Sequence, residues 1–156
     1  EIVDCDWSSD VCSSDLIDRI TPHCVVGQLS AESICGCFTS PSRQASCNYG
    51  IGYDGRISLC VEEKDRSWCS SSSANDHRAV TIECASDKTH PYAMTNAVYA
   101  SLINLCVDIC KRNGKKKLLW FGDKNKTLAY SPKSDEGSSA CCYRNATDQM
   151  QRSQRR

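Results

Sequence analysis

The middle of the chain carries the hydrophobic periodicities of an ordered domain, which begins at Ile17. The run "IDRITPHCVV" (17–26) is apolar and strand-like, with a histidine near its end. The next segment, "LSAESICGCF" (29–38), places its apolar residues on one helical face and contains Ser30, which suits the N-cap position. These two segments predict a strand followed by a helix.

The segment "NYGIGYDGRISLCV" (48–61) predicts a β-hairpin. Its apolar residues alternate with polar or small ones on both sides of Asp54 and Gly55. An Asp-Gly dipeptide between two alternating runs is a strong short-range signal for a tight hairpin turn. We therefore expect two short antiparallel strands joined at this dipeptide.

The second half of the domain supplies a strand, a long helix and a further strand. "AVTIEC" (79–84) is short and rich in β-branched residues, which suits the centre of a sheet. "TNAVYASLINLCVDICKRNG" (95–114) has apolar residues at helical spacing and ends in a glycine, and "KKLLWF" (116–121) is strand-like. The order β-α-β-β-β-α-β predicts an α/β fold with a central mixed β-sheet flanked by helices.

Both ends of the chain differ from this pattern. The segment Cys5–Leu16 has no periodicity and closely resembles the translation of a common sequencing-library adapter, so we interpret residues 1–16 as a non-native leader. A natural Ser/Asp-rich leader without structure is the alternative. Residues 137–156 have no amphipathic period and a Gln/Arg-rich end, which predicts a disordered or frameshifted tail. The domain is thus expected at residues 17–136, incomplete at its C-terminus.

Charge and hydropathy narrow the classes of function. Lys+Arg and Asp+Glu number 19 each, so the formal net charge is zero and no nucleic-acid partner is predicted. No run reaches the roughly 18 apolar residues that a membrane span needs, so no membrane partner is predicted. No signal peptide is visible, which leaves the export route open. A chain of 156 residues suits a single domain.

Thirteen cysteines allow several chemistries. Their odd number and irregular spacing, in a chain longer than small disulfide scaffolds, argue against a disulfide framework. The absence of a C-x-x-C pair argues against a metal site built from cysteine clusters. We therefore expect mostly free thiols, with disulfide pairing as the alternative.

The ordered set of motifs from Ile17 to Glu136 resembles the zinc-dependent N-acetylmuramoyl-L-alanine amidases of the peptidoglycan-recognition and phage-lysozyme type. "ITPHCVVGQ" is similar to the family's first strand, which ends in a zinc-binding histidine, and "NYGIGYDGRI" is similar to its hairpin. Three further features follow in the family's order. They are a loop tryptophan (Trp68), an asparagine (Asn75), and a strand that ends in Ile-Glu within "RAVTIECASD". The resemblance implies hydrolysis of the amide between N-acetylmuramic acid and L-alanine.

The resemblance also implies roles for five residues. His23 would bind zinc, and Glu83 would be the catalytic carboxylate that handles the proton of the attacking water. Because both lie at strand ends, we expect them to face one another at the same edge of the sheet. Tyr49, Trp68 and Asn75 are the expected substrate-binding residues, Trp68 as an exposed ring that stacks on substrate. Asn75 also suits a role in fixing the loop before the catalytic strand.

The sequence departs from the family pattern after Trp120. The family's second zinc histidine and its cysteine or aspartate would follow, but the only other histidines here are His77 and His90. A single imidazole falls short of the three protein ligands that catalytic zinc takes. We therefore expect an open cleft beside His23, weak zinc binding, and little or no amidase activity. A family-type segment grafted after Glu136 is expected to restore activity.

Three functions follow from these observations. The first is a monomeric peptidoglycan amidase that acts at the cell wall or outside the cell, as an endolysin or an autolysin. The second is a non-catalytic peptidoglycan-binding module of the same fold, which the missing ligands motivate. The third is a thiol hydrolase that uses Cys47 and His77, but no nucleophile signature surrounds any cysteine.

Overall fold

A computed structural model describes residues 17–130 and 138–141 of the chain. The predicted leader and most of the predicted tail lie outside these residues. The described elements are β1 (Arg19–Cys24), α1 (Ala31–Gly36), a 3₁₀ turn (Pro41–Arg43), β2 (Tyr49–Ile51), β3 (Ile57–Leu59), α2 (Ser73–Asp76), β4 (Ala79–Cys84), α3 (Asn96–Arg112), β5 (Lys117–Trp120), α4 (Lys124–Ala129) and β6 (Ser138–Cys141).

The described strands form a mixed sheet in the order β3-β2-β4-β1-β6-β5. The hairpin pair β2–β3 is antiparallel, whereas the other neighbouring pairs are parallel. Strands β4 and β1 lie inside the sheet, which explains the continuous burial of the apolar "AVTIEC" segment. The predicted α/β class with a central mixed sheet and flanking helices is confirmed.

Strand β6 differs from the sequence prediction. Ser138–Cys141 pairs in parallel with both β1 and β5, whereas the sequence predicted no regular element after Glu136. For these four residues that expectation is wrong. Small polar residues carry little intrinsic strand preference, but a neighbouring strand on each side supplies ladder hydrogen bonds that override it.

Local capping sets the ends of the two principal helices. The Ser30 hydroxyl accepts a hydrogen bond from the Ser33 N–H at the start of α1, as its N-cap position predicts. The Thr95 hydroxyl caps α3 in the same way, and Gly114, with φ of +66°, follows its end. Sheet and helices enclose a core whose members include Ile20, Ile34, Ile51, Val80, Ile82, Val98 and Ile109.

The hairpin turns at Asp54 and Gly55, as predicted. Gly55 has φ of +83°, a conformation that L side chains rarely adopt. The Gly52 N–H donates to the Arg56 carbonyl at 2.9 Å and closes the turn. The turn also packs against α3, since the Ser101 hydroxyl donates to the Gly55 carbonyl at 2.7 Å.

We expect Gly52→Ala to destabilise the domain by about 1–3 kcal/mol, because this glycine lies where the hairpin meets α1. A Cβ atom there would lie 2.4 Å from the Ala31 backbone nitrogen, so the two elements would have to separate. Gly36→Ala is the matched control, because nothing lies within 4 Å of its Cβ position. Urea unfolding of both variants measures the difference. Equal stabilities would contradict the close packing.

Residues 17–130 contain one disulfide and seven free cysteines. The disulfide joins Cys35 of α1 to Cys60, just after β3, with a Cα–Cα distance of 5.5 Å. The prediction of mostly free thiols is confirmed for this part of the chain, but the sequence predicted no particular disulfide. Within the described ranges, helices are too short or too polar to cross a bilayer.

Candidate functional site

His23 and Glu83 are register partners on the adjacent parallel strands β1 and β4. Nδ1 of His23 lies 3.4 Å from Oε1 of Glu83, so the prediction that the two side chains meet is confirmed. Their exposed fractions are only 2% and 5%. The expectation of an open cleft beside His23 is therefore wrong, because the loop that carries Cys69 packs against both side chains.

Cys69 contributes a third side chain, which the sequence did not predict. Its Sγ atom lies 3.5 Å from Nδ1 of His23 and 3.5 Å from Oε1 of Glu83. The cysteine is half-buried, more exposed than its two neighbours. The three side chains, His23, Cys69 and Glu83, are called the His-Cys-Glu cluster below.

The loop that carries Cys69 is anchored on both sides of that residue. On one side, the Ser67 hydroxyl lies 2.6 Å from the Thr81 hydroxyl of β4. On the other, the Ser70 N–H donates to Oδ1 of Asp76 at 3.1 Å. The thiol is thus held over the sheet by hydrogen bonds on either side.

The cluster combines a thiol with a neighbouring carboxylate in a dry environment. Burial raises the pKa of the Cys69 thiol well above its usual value, and the charge of Glu83 raises it further. The thiol is therefore neutral in the metal-free protein and donates its proton towards Glu83. A metal ion would have to displace this proton, because the thiolate is the metal-binding form of cysteine.

Tyr49 lies in a polar cluster between β2 and α3. Its hydroxyl donates to Oε1 of Glu63 at 2.8 Å, and Arg112 of α3 forms a bidentate ion pair with the same carboxylate. Burial and this hydrogen bond to Glu63 raise the pKa of Tyr49 to about 12. The hydroxyl is thus committed to a structural contact, while the half-buried ring remains able to line a groove.

Trp68 and Asn75 occupy opposite environments. The Trp68 side chain is 45% exposed, and the Arg66 guanidinium lies 5.6 Å from its ring centroid. Asn75 is 1% exposed, and its side-chain amide donates to the hydroxyls of Thr21 and Ser70. Trp68 can reach a substrate, whereas Asn75 ties the Cys69 loop to β1.

The remaining candidates for catalysis lie in other environments. Nε2 of His77 contacts the Arg66 guanidinium at 3.2 Å, and His90 packs edge-on against Tyr92. Cys47 is fully buried, and this burial raises the pKa of its thiol well above the usual range. A neutral buried thiol is a poor nucleophile, which argues against a thiol hydrolase that uses Cys47 and His77.

The residues of the His-Cys-Glu cluster fit a zinc ion in kind and in number. Imidazole nitrogen, thiolate sulfur and carboxylate oxygen are all zinc ligands, and a catalytic site takes three from the protein. One ligand atom from each of the three residues lies within 4.8 Å of the others. The sequence alone pointed to a single ligand, His23. The cysteine escaped notice because it lies in a loop, outside any short metal-binding motif.

Comparison with protein families gives an assignment for most of the chain. The model of the N-acetylmuramoyl-L-alanine amidase family matches residues 13–138, well over half of the sequence. No curated protein sequence matches the chain.

Two solved structures share the fold. The Staphylococcus aureus hydrolase AmiA, crystallised in complex with its ligand, is similar with a TM-score of 0.56 and 16% identity over 82% of this chain. Human PGRP-IBETAC, in complex with glycosamyl muramyl pentapeptide, is similar with a TM-score of 0.52 and 14% identity over 79% of each chain. The chain spans 55% of the staphylococcal structure. At these identities the likeness establishes the fold.

Proposed function

Because the chain belongs to the N-acetylmuramoyl-L-alanine amidase family, we propose that it hydrolyses peptidoglycan between N-acetylmuramic acid and L-alanine. The observation that carries this proposal is the pairing of His23 with Glu83 near the carboxyl ends of two parallel strands. Ligand sites in α/β sheets favour these strand ends. The muramyl peptide bound by the human protein supports peptidoglycan as the partner and the cell wall as the site of action.

The cluster provides the groups that amide hydrolysis requires. A zinc ion held at His23 and the donors beside it would lower the pKa of a bound water to about 7 and polarise the scissile carbonyl. Glu83 accepts a proton from the attacking water and delivers it to the leaving amine of L-alanine. The contacts of Glu83 with His23 and Cys69 both use Oε1, so we assign the proton transfer to Oε2.

Trp68 supplies the substrate contact in this proposal. Its exposed ring directly precedes Cys69 in the chain, so a sugar that stacks on it would lie beside the cluster. The adjacent Arg66 guanidinium offers a positive charge to a carboxylate of the stem peptide. Tyr49 and Asn75 stabilise the protein around this substrate surface. Tyr49 bonds to Glu63, and Asn75 bonds to Ser70 in the Cys69 loop.

The proposal is tested by incubating the 156-residue chain with purified muropeptides and zinc. We expect release of stem peptides with a free L-alanine amino group, detected by mass spectrometry and dependent on zinc. Failure to release peptide at any zinc concentration would reject the hydrolase.

A binding module of the same fold is the second candidate. The near-complete burial of His23 and Glu83 favours it, since a buried cluster gives a substrate little access. Muropeptide binding without cleavage, measured by calorimetry, would support this candidate. If the chain neither binds nor cleaves muropeptides, both functions are rejected.

A further inference from the structure

We propose that Cys69 is a metal ligand of this chain, and that it holds a zinc ion together with His23 and Glu83. The inference rests on the proposed function, because a metal at this cluster is what the hydrolysis requires. It differs from the family pattern, in which the other ligands follow the last helix-strand unit. Here the loop before α2 and strand β4 supply them.

The separations of the three donor atoms match those of a tetrahedral zinc site. With zinc bonds of roughly 2.1 Å to nitrogen or oxygen and 2.3 Å to sulfur, neighbouring ligands of a tetrahedron lie about 3.4–3.6 Å apart. The observed distances are 3.4 Å from His23 to Glu83 and 3.5 Å from the Cys69 sulfur to each of them. These separations are compatible with three ligands of one ion.

The surrounding protein holds the three ligand side chains in these positions in the metal-free chain. His23 and Glu83 are held by the β1–β4 ladder, and Cys69 lies between the anchored residues Ser67 and Ser70. Preorganised ligands lose little conformational freedom on binding, which favours affinity.

The same distances also fit a metal-free set of weak hydrogen bonds, in which the thiol donates to Glu83. The two interpretations differ in what Cys69 does when metal is added. A ligand must form a metal–sulfur bond, whereas a mere hydrogen-bond donor leaves the sulfur unbonded. Cobalt(II) distinguishes them, because a cobalt–thiolate bond gives near-ultraviolet charge-transfer absorption.

The test is titration of the 156-residue chain with cobalt and then zinc. We expect a saturable cobalt–thiolate band that zinc displaces. Cys69→Ser should abolish the band and weaken zinc binding by more than the roughly 10–100-fold that loss of an outer-shell partner costs. Cys69→His, which keeps a ligand, should retain tight zinc binding without the band. His23→Ala should lose both the tight zinc binding and the cobalt–thiolate band.

Two controls separate this site from other thiols. Cys37→Ser removes an exposed free cysteine and should leave the band unchanged. A Cys141→Ser, Cys142→Ser double variant should also keep it. A band that survives in Cys69→Ser, or that is missing from the unmodified chain, would overturn the proposal. Zinc binding through Cys69 without hydrolysis would reject the amidase alone, and zinc-dependent hydrolysis without the band would reject the Cys69 ligand alone.

Discussion

Replacing Glu83 with glutamine is expected to lower the rate of muropeptide hydrolysis by roughly 10²–10⁴-fold while the chain stays folded. Glutamine keeps nearly the same shape and an oxygen that can accept from the Cys69 thiol, so the packing of the buried cluster is preserved. It cannot take the proton from the attacking water. The measurement is kcat at increasing zinc concentrations, so that any loss of metal affinity is separated from the loss of proton transfer.

Asp108→Asn is the matched control for this prediction. Asp108 lies on α3, where its exposed carboxylate forms an ion pair with Arg112. This variant loses the same charge but should hydrolyse muropeptides at the rate of the unmodified chain. Full activity in Glu83→Gln at saturating zinc would remove Glu83 from the chemistry, even if its place beside His23 is correct.

The parts of the fold that the sequence predicted correctly are those encoded by a few residues close together in the chain. The Asp54-Gly55 dipeptide is enough to predict the turn. The position of Ser30 just before a helical segment is enough to predict the N-cap. The pairing of His23 with Glu83 was also predictable. Both residues lie at the ends of apolar strands, and parallel strands bring such ends together.

The features that escaped prediction depend on contacts between distant segments. Cys69 lies in a polar loop, and only the fold brings its sulfur to His23, 46 residues away in sequence. Strand β6 depends on its neighbours β1 and β5 rather than on its own composition. The disulfide between Cys35 and Cys60 likewise depends on the packing of α1 against the hairpin.

The most strongly buried charges were also absent from the sequence prediction. Asp18 and Arg19 stand at the start of β1 with exposed fractions of 0% and 1%. Asp18 pairs with Arg19 and with Arg78, and Arg19 also donates to the Tyr130 carbonyl. In sequence they look like the polar start of a strand. In the structure they join β1 to the segments before β4 and after α4.

Asp18→Asn is expected to destabilise the domain by about 3–5 kcal/mol, because it removes the buried carboxylate that pairs with both Arg19 and Arg78. For a chain of this size that corresponds to a fall in Tm of roughly 10 °C, measurable by calorimetry. Asp54→Asn is the control, because its partner Arg56 is 62% exposed and exposed pairs contribute little.

The double variant Asp18→Asn, Arg19→Met should recover part of the loss by removing the buried positive charge. A double variant less stable than Asp18→Asn alone would show that Arg19 stabilises the strand through contacts other than its ion pair with Asp18, such as the one with the Tyr130 carbonyl.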